Sequence, residues 1–216
     1  MQSSTTIIIA DDHPLFRGAL KQALCGPGSD IQIIEAGDFE AARKAATAYP
    51  DADLMMLDLT MPGVSGLTGL MMIRAEYQNM PVAVISASDD QPTIRRSFEL
   101  GASAFIPKST GLDDIRTAIS SVLEGGHWVP PGYEPDRERD PEIETLISRL
   151  KTLTPQQTRV LGMVAEGLLN KQIAYELGVS EATIKAHVSA ILLKLNVDSR
   201  TQAVIQLGKI GAMPNA

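Results

Sequence analysis

The first 124 residues alternate short apolar runs with stretches in which apolar positions recur every three to four residues. The runs Ile7–Ala10, Ile31–Glu35, Leu54–Leu57, Val82–Ser86 and Ala104–Ile106 have the length and branched-aliphatic content of strands. Between and after them, Leu15–Leu24, Phe39–Ala48, Gly66–Tyr77, Thr93–Leu100 and Asp113–Leu123 have helical periodicity. Five such β-α units predict a parallel sheet, and right-handed crossovers place helices on both of its faces. Residues 1–124 are therefore expected to form an α/β, doubly wound (βα)5 domain.

The rhythm breaks at residues 125–150, where Gly125, Gly126, Pro130, Pro131, Gly132, Pro135 and Pro141 sit among charges. That composition predicts a linker, with helical potential in Glu142–Leu150. Residues 151–216 show helical periodicity only and predict a small all-α domain of four helices. Thr154, Pro155 and Gln157 offer a cap, a first-turn proline and a capping-box glutamine. Asn170, Ser180 and Ser199 are expected to cap the next three helices. A helix, the turn Gly178-Val179-Ser180 and a following helix match a helix-turn-helix. On that following helix Ile184, Val188, Ile191, Leu192 and Leu195 form an apolar stripe. Thr183, Lys185, Ala186, His187, Ser189 and Lys194 lie off it, on the face that would enter a major groove.

Charge changes the picture only when divided along the chain. The net charge of −7 over 216 residues splits into −7 for residues 1–124, −3 for 125–150 and +3 for 151–216. Only the last part suits a phosphate backbone, and its small excess implies weak binding by one copy. No stretch approaches the roughly 20 apolar residues of a membrane helix, and Met1–Thr6 is polar rather than leader-like. Cys25 is the only cysteine, so neither a disulfide framework nor a cysteine zinc site is expected. These features predict a cytoplasmic protein.

Open α/β sheets bind ligands beyond the carboxyl ends of their strands. Asp11 and Asp12 follow the first strand, Asp58 the third, Ser86 closes the fourth and Lys108 follows the fifth. Three converging carboxylates repel one another unless a cation neutralises them, and Mg²⁺ does so with oxygen ligands. Carboxylate nucleophile, cation, lysine and hydroxyl make a phosphoryl-transfer site. Each residue alone has a plain structural use, Asp11 as a helix cap and Lys108 as a solvated charge. All five at the same sheet edge is the informative pattern.

Ala10-Asp11-Asp12-His13-Pro14, Asp58-Leu59-Thr60-Met61-Pro62-Gly63 and Phe105-Ile106-Pro107-Lys108 resemble the hallmark segments of two-component receiver domains. The resemblance implies that Asp58 accepts a phosphoryl group from a sensor histidine kinase. It implies that Asp12, Asp58 and the Thr60 backbone carbonyl ligate Mg²⁺, with Asp11 acting through water. Lys108 would pair with the phosphoryl group, Ser86 would turn its hydroxyl towards it, and Phe105 matches an aromatic switch position, with core packing as its other use. A competing class, the haloacid-dehalogenase-like phosphatases, needs an acidic residue two positions after the nucleophile. Thr60 stands there and cannot serve as a general acid near neutral pH, so no enzyme is expected.

Leu153–Gln157, Val164–Ala174 and Val179–Val188 resemble a LuxR-type DNA-binding domain. Joined to a receiver, this is the pattern of the NarL/FixJ response regulators, which implies promoter DNA as a partner and a homodimer as the active form. By position, Lys185, Ala186 and Ser189 would face bases, and Lys171, Thr183, His187 and Lys194 would contact the backbone. Leu193 departs from the pattern, standing where a basic residue is usual. The fourth helix, Ser199–Lys209, with Ala203, Val204 and Leu207 on one side, is the candidate dimer contact. The acidic first domain is expected to cover the basic DNA-binding face at rest. The alternative is an atypical regulator that binds DNA independently of phosphorylation.

Overall fold

The protein is represented by a computed structural model, described over residues 5–25, 30–134 and 140–211. Pro135 of the expected linker and residues 1–4 of the polar start lie outside the described residues. Five parallel strands, β1 (Thr5–Ala10), β2 (Ile31–Ala36), β3 (Leu54–Asp58), β6 (Val82–Ser86) and β7 (Ala104–Pro107), form one sheet in the order β2-β1-β3-β6-β7. A two-stranded hairpin, β4 (Thr60–Met61) with β5 (Val64–Ser65), follows β3 and was not foreseen. Gly63, with φ of 87°, turns it in a conformation that side-chain-bearing residues rarely adopt.

The period of two along each strand sorts side chains onto opposite faces. Ile7, Ile9, Leu54, Met56, Ala83, Ile85, Ala104 and Ile106 point to a layer made by α1 (Pro14–Leu24) and α5 (Leu112–Leu123). Ile8, Met55, Leu57, Val82, Val84 and Phe105 point to α2 (Phe39–Ala48), α3 (Thr68–Glu76) and α4 (Gln91–Glu99). Each fully buried aliphatic side chain contributes about 1.5–3 kcal/mol, so both faces hold the sheet.

The expected linker is divided by the structure. Trp128 extends the sheet: its backbone accepts from Phe105 N–H and donates to Ser103. The helix α6 (Pro141–Leu150) buries Ile143, Leu146, Ile147 and Leu150 and packs on the helical domain. That domain continues as α7 (Pro155–Ala165), α8 (Asn170–Leu177), α9 (Glu181–Leu195) and α10 (Arg200–Lys209). Thr154 and Gln157 make the reciprocal capping box, and Ser180 and Ser199 cap as expected. Asn170 does not cap; it is the first residue of α8, and Gln172 Oε1 accepts from the preceding Leu169 N–H at 2.7 Å. Gly178, with φ of 64°, turns the chain between α8 and α9.

Two expectations about surfaces are overturned. Ala203 and Leu207, expected with Val204 at a dimer contact, are each 1% exposed because α10 turns them onto α7 and α9; Val204 is half-buried and Ile205 is exposed. The first domain docks on α7 and the end of α10, not on the polar face of α9. Gly162 of α7 lies against Met72 of α3, and Leu67 N–H donates to the Gly211 carbonyl. The Gln91 side chain also grips the backbone of Gly132 and Glu134. Thr183, Lys185, Ala186 and Ser189 remain exposed in this arrangement.

Candidate functional site

The strand order reverses beside β1, so the β1 and β3 ends open onto the switch point of the sheet. Asp11 and Asp58 project there and are 0% and 1% exposed, with Asp12 at the rim. Lys108 reaches in from the end of β7, its ammonium 2.8 Å from Asp11 Oδ2 and 2.8 Å from Asp58 Oδ2. The Phe16 ring of α1 lies under that ammonium at 5.3 Å, a cation–π contact that steadies it. Thr60 N–H donates to Asp58 Oδ1 at 3.0 Å, so each carboxylate oxygen of Asp58 is held by a different donor. Burial pushes the Asp58 carboxyl above its ordinary range, against the opposing pull of Lys108. Burial works against the charge on Lys108 as well, but its bonds to Asp11 and Asp58 outweigh that and raise it.

Ser86 is buried at the end of β6, its Oγ accepting from Ser88 N–H at 3.1 Å. It lines a cavity of about 800 Å³ together with Asp12, Thr60, Ser88, Thr93 and Arg96. Gly208 and Gly211 wall that cavity from the helical domain. Phe105 lies wholly inside the core at 0% exposure, in the same buried cluster as Val84 and Ile94. Its ring is thus already inward.

Sequence reasoning gave no role to two residues of this edge. Arg17 donates to the Asp11 carbonyl at 2.5 Å, and His13 Nδ1 lies 2.7 Å from Asp12 Oδ1. His13 directly follows the aspartate pair, and that adjacency was the available signal.

On the helical domain, Lys171, Thr183, Lys185, Ala186 and Ser189 are exposed and His187 is half-buried. Lys185 makes a surface pair with Glu181 at 2.9 Å, which costs little to open. Lys194 stands apart from this group. Its ammonium donates at 2.7 Å to the Thr152 carbonyl and at 2.7 Å to Gln157 Oε1, tying α9 to the start of α7. Charged hydrogen bonds of this kind contribute about 1.5–3 kcal/mol each, less where water reaches them. Lys194→Met is therefore expected to lower the thermal midpoint by several degrees, with the salt dependence of DNA binding unchanged; a shallower salt slope at unchanged stability would return Lys194 to the interface. Leu193 is 82% exposed, so the departure from a basic residue leaves an apolar side chain on the surface.

Residues 7–120 match the response regulator receiver domain family, and residues 151–207 match the luxR family of bacterial regulatory proteins. The chain is 39% identical over 210 residues to the glycerol metabolism activator of Pseudomonas putida, covering 94% of this chain and 95% of that one. It is 34% identical over 203 residues to the nitrate/nitrite response regulator protein NarP of Escherichia coli K12, covering 92% of each. The fold is shared with the response regulator RcsB in its DNA complex, at a TM-score of 0.54 and 23% identity over 95% of this chain and 98% of that one. Two domain matches in the right order, with relatives aligned along nearly the whole length, settle the affiliation: the chain belongs to the NarL/FixJ family of two-component response regulators.

Proposed function

We propose that Asp58 is the phosphoacceptor and that its phosphorylation by a sensor histidine kinase in the cytoplasm controls binding of α9 to promoter DNA. The observation that carries this is the buried Asp58 carboxylate at the end of β3, held by Lys108 from β7 beside Asp11. In the transfer, an Asp58 oxygen forms a bond to phosphorus while the phosphorus–nitrogen bond of the donor phosphohistidine breaks, and the electron pair leaves on the imidazole. The Lys108 ammonium, already 2.8 Å from Asp58, is placed to neutralise charge gathering on the phosphoryl oxygens. Ser86, on the wall of the same cavity, supplies a hydroxyl for the product.

The residues fit a divalent ion. Asp11 Oδ2 and Asp12 Oδ1 are buried, each with a single nitrogen near it, Lys108 Nζ at 2.8 Å and His13 Nδ1 at 2.7 Å, which leaves carboxylate lone pairs for a cation. Asp12, Asp58 and the Thr60 carbonyl would hold Mg²⁺, with Asp11 acting through water, and the ion would supply positive charge to offset three carboxylates and a phosphoryl group.

For DNA, Lys185, Ala186 and Ser189 would face base edges, with Lys171, Thr183 and His187 on the backbone. RcsB has been solved as dimers on DNA, and the small positive excess of residues 151–216 favours the same stoichiometry here. Acetyl phosphate treatment should tighten binding to a cognate promoter fragment in fluorescence anisotropy. Lys185→Ala should then weaken that complex by about 1–3 kcal/mol and blunt discrimination at one base position. An equal loss on every sequence would make Lys185 a phosphate contact, and no change on treatment would sink phosphorylation control.

A further inference from the structure

A second cavity lies between the receiver and the helical domain, away from the phosphoacceptor edge. Its volume is about 500 Å³, and it sits where α3 ends, near the amino end of β6, against the turn from α6 into α7. Met71 and Leu100 of the receiver, with Leu150 and Leu153 of the helical domain, give it apolar walls. That size, at a junction of two domains, suits a small organic ligand.

The charged lining is cationic: Arg74 and Lys151 line the cavity, and no carboxylate does. Among the described residues neither cation pairs with an acid. Glu76, two residues along α3 from Arg74, is taken by Arg43 at 3.2 Å. Glu99, which feels the Lys151 charge, also faces Arg95 and Arg96. A half-buried guanidinium without a counterion is costly, because water solvates it poorly. Burial alone pushes Arg74 below its ordinary range, with no carboxylate to pull it back. Its position is nevertheless fixed, Nη1 donating to the Met80 carbonyl at 2.8 Å. Gly101 leaves it room, since a Cβ there would lie 3.1 Å from Arg74 Nε. From α7, Thr158 lines the cavity at 4% exposure, and among the described residues its hydroxyl has no hydrogen-bond partner. A buried hydroxyl left open beside an unpaired cation calls for an acceptor.

We propose that this cavity binds a small organic oxyanion, a carboxylate or phosphate ester with an apolar body, and that the ligand bridges the receiver and the helical domain. Arg74 and Lys151 neutralise the head, Thr158 donates a hydrogen bond to it, and the apolar walls enclose the body. A planar guanidinium suits either head group. Because its contacts come from both domains, the ligand stabilises their docked arrangement over a separated one. The chain thereby gains an input separate from Asp58.

Calorimetric titration of the full chain without Mg²⁺ tests this with three probes of one apolar body. Naphthylacetate carries a carboxylate, naphthylphosphonate a phosphate-like head that cannot be transferred to Asp58, and naphthylmethanol no charge. At least one anion should bind one site per chain, tighter than naphthylmethanol by about tenfold or more. Whichever anion is tighter identifies the head group. Arg74→Gln should weaken that anion by about tenfold or more and Thr158→Val by about threefold, with naphthylmethanol unchanged in Arg74→Gln. Lys151→Gln should weaken it by about twofold to fivefold. Lys151 is exposed, so this variant keeps the test open should a thermal melt show Arg74→Gln to be unfolded. Binding of neither anion, or equal affinity for naphthylmethanol, overturns the oxyanion site. Loss at Arg74 with none at Lys151 and Thr158 confines the ligand to the receiver and overturns the bridge. Binding that none of the three substitutions changes lies elsewhere and overturns the assignment.

Discussion

Incubated with acetyl phosphate and Mg²⁺, the wild-type chain should gain the mass of one phosphoryl group, and Asp58→Asn should gain none. The expected effect is complete loss because the substitution removes the nucleophile while keeping its shape. Asn occupies nearly the same volume at a position 1% exposed, so no cavity opens. Lys108 is not stranded by the change, since Asp11 Oδ2 remains 2.8 Å from its ammonium. The Thr60 N–H keeps an acceptor in the amide oxygen. Failure to load would thus report lost chemistry rather than lost fold, and intact-mass spectrometry with a parallel thermal melt reads both. An Asn variant that still gains a phosphoryl group would move the acceptor elsewhere.

Much of this site was legible because period and topology act together. The alternation in Ile7–Ala10, Leu54–Leu57 and Val82–Ser86 fixes which residues share a face, and parallel pairing brings the strand ends to one edge. Asp11, Asp58, Ser86 and Lys108 then meet without any knowledge of side-chain geometry. What the pattern does not carry is the identity of the neighbour that covers an apolar face. Ala203 and Leu207 read as a free stripe on α10, but α7 and α9 cover them. Lys194 read as a surface cation because its acceptor, the Thr152 carbonyl, lies 42 residues away in sequence. The contrast between an acidic first domain and a basic second one suggested a masked α9. Packing at Gly162 and Met72 instead sets the docking, since close apolar contact outweighs screened charges separated by solvent.

The helix α6 yields the second large effect, expected when the helical domain is cut from the chain. The match to the luxR family begins at residue 151, just after α6, yet the physical domain begins near Asp140. Ile143, Leu146, Ile147 and Leu150 are each at most 8% exposed, and Arg149 donates to the Leu195 carbonyl at 3.1 Å, closing the end of α9. Four such side chains contribute on the order of 6–12 kcal/mol at full burial. Part of that burial faces the first domain, where Leu150 lines a cavity with Met71 and Leu100, so a separate fragment recovers less. Even a third of it is comparable to the roughly 3–5 kcal/mol that a core of this size supplies. A fragment of residues 140–216 should therefore melt cooperatively by circular dichroism, while one of residues 151–216 should show no cooperative transition under the same conditions. If the shorter fragment melts cooperatively at the same temperature, α6 contributes nothing to the stability of the DNA-binding domain despite its packing on α9.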